Sequence, residues 1–91
     1  MKLSNKIFSK NKDLAWRMID DSAYIVDSKG SLMHELNISG SRIWELVDGK
    51  RGLEEIACAV CDEFNVGKED ARKDLIKFIN EIQKKGLVGE R

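Results

Sequence analysis

Apolar and polar positions alternate with one period in the first part of this chain and with another in the rest. The change falls near Leu36. Before it, Trp16-Arg17-Met18-Ile19 and Ala23-Tyr24-Ile25-Val26 are short runs rich in strand formers. They are separated by Asp20-Asp21-Ser22 and followed by Asp27-Ser28-Lys29-Gly30. Clusters of Asp, Ser and Gly between apolar runs are turn signals. A third run, Ser31 to Leu36, sends Leu32, His34 and Leu36 to one face and Met33 and Glu35 to the other, because side chains in a strand alternate with period two. Three short strands joined by short polar turns predict an antiparallel meander, whose last strand ordinarily lies at an edge.

After Leu36 the spacing becomes helical. Asn37 and Ser39 are good N-cap residues, since a short side-chain oxygen can accept from an unpaired N–H of the first turn. Ile43, Trp44, Leu46 and Val47 then form one apolar stripe that stops at Asp48-Gly49. Lys50-Arg51-Gly52 links to a second helix, 53–64, with Leu53, Ile56, Ala57, Val60 and Phe64 on one face and Cys61 beside them. Glu54 and Glu55 in its first turn suit the positive end of the helix dipole. Asn65-Val66-Gly67 breaks this helix, and a third follows over 68–85 with the stripe Ala71, Leu75, Phe78, Ile79 and Ile82. Ile76 stands off that stripe, near Arg72 and Gln83. Gly86 suits a left-handed cap, with Leu87-Val88 folding back as a hydrophobic clasp.

The order is β-β-β-α-α-α, an α+β domain in which helices cover one face of a small sheet. That domain spans residues 16–91. Residues 1–15 carry four lysines and scattered apolar positions, and they are expected as a flexible N-terminal arm anchored at Ile7 and Phe8.

Composition narrows the function classes. Sixteen basic and sixteen acidic residues in 91 cancel to a formal charge of zero. A sequence-independent nucleic-acid binder relies on a basic excess to neutralise phosphates, so no nucleic-acid partner is expected. No apolar run approaches the ~20 residues that span a bilayer, and the lysine-bearing N-terminus lacks the apolar core of a secretory signal. A cytoplasmic protein without a membrane partner is expected.

Candidate chemistry is thin. Cys58 and Cys61 form a C-x2-C pair, but no second cysteine pair completes a metal site, and the pair lies inside a helix. Small, partly buried residues describe them better. His34 is the one histidine and shares a strand face with Leu32 and Leu36, so a satisfied, half-buried side chain is its simplest role. Glycines mark turns and helix ends, and Asp20-Asp21 and Glu54-Glu55 read as a turn and a helix start. No catalytic residue, metal or cofactor is expected. A binding module needs less: an open strand edge that accepts an extended peptide, with main-chain hydrogen bonds for affinity and pockets for alternate side chains.

The residues Leu36-Asn37, Ile43-Trp44-Glu45-Leu46, Asp48-Gly49, Glu54-Glu55-Ile56-Ala57 and Lys85-Gly86-Leu87-Val88 resemble, in type and spacing, the PqqD family of precursor-peptide recognition proteins. The resemblance runs from about Trp16 to Val88. At Gly52 the chain departs from it, since the family more often has Thr or a similar cap there. The resemblance implies a winged-helix-like arrangement and a non-catalytic role. The leader of a ribosomally made precursor peptide would add as a strand beside the third strand, in the cleft toward the third helix. Carried onto this chain, the strand is Ser31, Leu32, Met33, His34, Glu35 and Leu36. Arg72, Ile76 and Ile79 are the choice for the helix wall, with Asp74, Phe78 and Glu81 on the opposite flank as the alternative. The implied partner is a radical S-adenosylmethionine or other peptide-modifying enzyme, and pyrroloquinoline quinone biosynthesis is the namesake pathway. Two rival readings stand beside this one. One is a winged-helix DNA-binding protein, which would need a basic helix face. The other is a structural subunit dimerising through its open strand edge, so the expected state is a monomer or weak homodimer.

Overall fold

The computed structural model describes residues 5–27 and 33–91. Its elements are β1 (Phe8–Lys10), β2 (Ala15–Ile19), β3 (Ser22–Val26), β4 (Met33–Glu35), α1 (Ile38–Leu46), α2 (Leu53–Phe64), α3 (Lys68–Lys84) and β5 (Val88–Glu90). The turn residues Ser28, Lys29 and Gly30, and the strand residues Ser31 and Leu32, lie outside the described residues. The expected meander is present as an antiparallel sheet in the order β2-β3-β4, followed by the three helices.

The β2–β3 hairpin closes through Asp20-Asp21, with Ile19 opposite Ser22. Asp20 takes a positive φ of 54°, as a two-residue hairpin turn with right-handed strand twist demands, and Asp tolerates that conformation better than most residues. Along β3, Ala23 and Ile25 are fully buried while Ser22, Tyr24 and Val26 remain half-exposed on the outer face. The alternation read from sequence therefore faces the helices as expected.

The helices pack through the anticipated stripes. Ile43, Trp44, Leu46 and Val47 of α1, Ile56, Ala57 and Val60 of α2, and Ala71, Leu75, Ile79 and Ile82 of α3 share one core with Ala23 and Ile25. Asn37 caps α1 by accepting from the Gly40 N–H at 2.8 Å. Gly52 starts α2 without a side chain, and the Glu55 carboxylate accepts from the Gly52 N–H instead. Asn65 ends α2 in a left-handed conformation, φ 53°.

A second, two-stranded sheet was not anticipated. Within the stretch expected as an N-terminal arm, Phe8–Lys10 pair antiparallel with Val88–Glu90, and Phe8 is buried. The physical reason is mutual. The Leu87-Val88 clasp brings the C-terminal backbone alongside, and β1 satisfies it. The far side of β1 is closed as well, because Gly49 N–H donates to the Phe8 carbonyl and Leu53 N–H to that of Lys6. Lys10 reaches from β1 to donate to the Val47 carbonyl at 2.6 Å, so a cation caps the negative end of α1. Its ammonium lies 5.0 Å and 5.1 Å from the ring centroids of Trp16 and Trp44, and burial pushes its pKa down. The N-terminal strand thus belongs to the body of the domain and does not occupy β4.

Candidate functional site

Hydrogen-bond parity decides which groups of β4 are available. In the antiparallel β3–β4 pair, Ile25 stands opposite His34 and Ala23 is in register with Leu36, whose N–H donates to the Ala23 carbonyl at 3.0 Å. Bonded pairs recur every second residue. His34 and Leu36 therefore turn their backbone groups toward β3, and Met33 and Glu35 turn theirs outward. No strand lies beyond β4 among the described residues. The Met33 side chain is 67% exposed at this margin. Glu35 accepts from the Tyr24 hydroxyl at 3.2 Å on the outer face, and its negative charge pushes the Tyr24 pKa up.

The end of β4 is pinned to α1 by one side chain. Ser41 is fully buried, accepts from the Ala23 N–H at 2.7 Å and donates to the Leu36 carbonyl at 3.1 Å. Its hydroxyl thus takes the place of the second ladder bond between Ala23 and Leu36. Strand pairing gives way to the helix at this point with both groups satisfied.

Where β4 ends, a groove of about 320 Å³ begins. Asn37, Ser39, Gly40 and Ile43 of the α1 entry form one side, and Asp74, Lys77, Phe78 and Glu81 of α3 the other. Ile43 is buried and Phe78 half-buried, so the floor is apolar and the rim charged. Gly40 makes the approach possible: a Cβ there would lie 3.0 Å from both Asn37 Oδ1 and Phe78 Cε1.

The third-helix residues favoured from sequence are placed elsewhere. Ile79 is 2% exposed and belongs to the core. Arg72 turns to α2, donating to Glu54 at 3.2 and 2.5 Å and to Glu69 at 2.8 Å. The Glu54 carboxylate in particular drives its pKa well above the ordinary arginine value. Ile76 is 38% exposed on that same flank, about 160° around the helix from Phe78 at ~100° per residue. The groove takes the alternative flank, Asp74, Phe78 and Glu81. Sequence reasoning missed Asn37, Ser39, Gly40 and Ile43 as wall residues. Their local signal was that of a cap and a core stripe, and only the approach of the α1 entry to Phe78 of α3 sets them along the same groove. Ser31 and Leu32 lie outside the described residues. His34 is half-buried on the helix-facing side.

Other chemistry-bearing residues are dispersed. Cys58 and Cys61 are free thiols, half-buried on α2, and Cys61 Sγ donates to the Val66 carbonyl. Among the described residues no group of His, Cys, Asp and Glu is arranged to hold a metal ion, and no helix is long and apolar enough to cross a membrane. What the arrangement offers is a strand margin with outward main-chain donors and acceptors, leading into an apolar-floored groove.

Comparison with known proteins adds three findings. The family model described as coenzyme PQQ synthesis protein D (PqqD) matches residues 22–88. A search of the curated proteins returned no match. Among solved structures, the chain is similar to TbiB1 in complex with the TbiA(beta) leader peptide, at 28% identity and a TM-score of 0.81, covering 88% of this chain and 93% of that one. It is also similar to a lasso peptide synthetase B1 complexed with the leader peptide, at 16% identity and a TM-score of 0.80, covering 90% and 96%. This second likeness is one of fold.

Proposed function

We propose a function from the premise that this chain belongs to the PqqD family, shown by the match over residues 22–88. The protein captures the leader segment of a ribosomally made precursor peptide and holds it for a separate modifying enzyme. It carries no catalysis of its own. The single observation that supports this most is the outward-facing backbone of Met33 and Glu35, on a margin of the sheet that no other strand among the described residues pairs. An extended leader added there gains main-chain hydrogen bonds and continues the β2-β3-β4 sheet by one strand. Beyond Leu36 the guest meets the groove, where a side chain can settle on Ile43 and Phe78. That TbiB1 was solved with a leader peptide supports the reading.

The partner enzyme is, by family resemblance, of the radical S-adenosylmethionine class, and the encounter takes place in the cytoplasm where precursors are translated. Affinity is moderate, because ordering a flexible leader offsets part of the contact energy. The test is titration of isotope-labelled protein with the short precursor peptide encoded beside its gene. Amide shifts are expected at Met33, Glu35, Asn37, Gly40 and Phe78. Shifts confined to the outer surface of α2, or none, would refute the site.

A further inference from the structure

We propose that the groove discriminates among guest peptides by charge, selecting an apolar anchor residue flanked by lysine or arginine. The proposal rests on the strand-addition reading above and adds to it a class of substrate.

The observation is the charge along one wall of the groove. Asp74 precedes Phe78 by four residues and Glu81 follows it by three, so both carboxylates stand on the same side of α3 as the aromatic ring, at its two ends. Among the described residues Lys77 is the one cation on the groove wall. The arginines of α1 and α3 are already engaged and do not neutralise it. Arg72 is engaged by Glu54 and Glu69, and Arg42 by Glu63 and Glu45. Neither Asp74 nor Glu81 has an ion pair among the described residues, and both are exposed. Glu81 sits at the start of the last turn of α3, where the dipole favours cations. Lys77, Lys84 and Lys85 stand at helical spacing from it and offset that cost, and its carboxylate still borders the groove beside Phe78, where a cationic guest can meet it.

The geometry also limits what the anchor can be. Phe78 lies against the backbone of Gly40, and Ile43 closes the floor, so the space between the carboxylates offers apolar surface to an anchor side chain. A guest strand presents alternate side chains to the groove. An anchor directed at Phe78 therefore has its neighbours two positions away directed toward Asp74 and Glu81.

Exposed ion pairs are individually weak, so charge acts here as a filter on top of strand addition. Two such pairs change affinity by about 2- to 30-fold, less at high salt. The test uses random 15-residue peptides displayed on phage, selected in parallel on the immobilised full chain and on its Asp74→Lys/Glu81→Lys variant. Both positions are exposed, and an Asp74→Asn/Glu81→Gln variant serves as a second, milder change. The wild-type chain is expected to enrich Lys or Arg about two positions either side of an apolar residue, the charge-reversed variant to enrich Asp or Glu there, and the neutral variant neither. The same charge preference on all three proteins would overturn the proposal. Amide shifts with a selected peptide then separate the two levels of inference. If Met33 and Glu35 respond while the preferences do not follow the charge changes, strand addition stands and charge selection falls. If the responses lie away from β4, both fall.

Discussion

Replacing Ser41 with Ala tests whether a single hydroxyl holds the open strand in place. The substitution removes one methyl-sized polar group from a fully buried site and leaves the Ala23 N–H and the Leu36 carbonyl without their present partner. Each buried backbone group left unsatisfied costs about 1–3 kcal/mol. Alanine's better helix propensity returns about 0.5 kcal/mol, since residue 41 lies inside α1. A net loss of roughly 1.5–5.5 kcal/mol is expected, a large share of the ~5–15 kcal/mol that stabilises a domain. For a chain of this length even the lower end corresponds to a fall in Tm of roughly 6–12 °C. The assay is urea unfolding followed by circular dichroism, in which the midpoint falls and the slope stays constant. Binding of the leader should weaken in parallel, because the end of β4 loses its anchor to α1. A stability loss below about 0.5 kcal/mol would refute the reasoning. It would mean that Ala23 and Leu36 close their second ladder bond directly once the hydroxyl is gone.

Three further outcomes follow from the same geometry. Met33→Pro deletes an outward N–H and should lower leader affinity tenfold or more with little change in Tm, whereas His34→Pro deletes an inward one and should destabilise the sheet; equal effects of the two on stability would contradict the assigned parity. Gly40→Ala puts a Cβ 3.0 Å from both the Phe78 ring and the Asn37 cap oxygen, so the ring must move away from α1 and leader affinity should fall severalfold; unchanged affinity would show that the ring does not shape the groove. Asp48 is held below the usual carboxylate range by the N–H groups of Arg51 and Lys50, Glu63 by the Arg42 guanidinium, and Glu69 by Arg72. Because folding lowers these pKa values, their contribution is present above about pH 4 and is lost as pH falls through the folded values. Tm should be flat from pH 7 to 5 and decline below 4; a Tm that holds or rises down to pH 3 would contradict this.

Much of the domain was legible in the residues themselves. Period-two alternation in Ala23–Val26, the cap at Asn37, the stripe Ile43-Trp44-Leu46-Val47 and the glycine at 86 each encode a local preference, and local preferences survive folding unchanged. The three helices and the β2-β3-β4 order followed from them. So did the edge position of β4, because a meander leaves its last strand open. Other features belong to pairs of segments distant in the chain. The β1–β5 sheet joins Phe8–Lys10 to Val88–Glu90, and neither stretch signals its partner. Ser41 reads as an ordinary helical serine until the strand ladder ends against it. The flank of α3 that faces the groove depended on where the α1 entry meets it. A helix stripe specifies the direction of the core, but its two flanks, one with Arg72 and Ile76 and the other with Asp74, Phe78 and Glu81, are equivalent by sequence. Their difference comes from what packs alongside: Glu54 of α2 takes Arg72, and the glycine at position 40 admits Phe78. Periodicity is a property of one segment, whereas a groove is a property of two, and only tertiary packing brings the second into place.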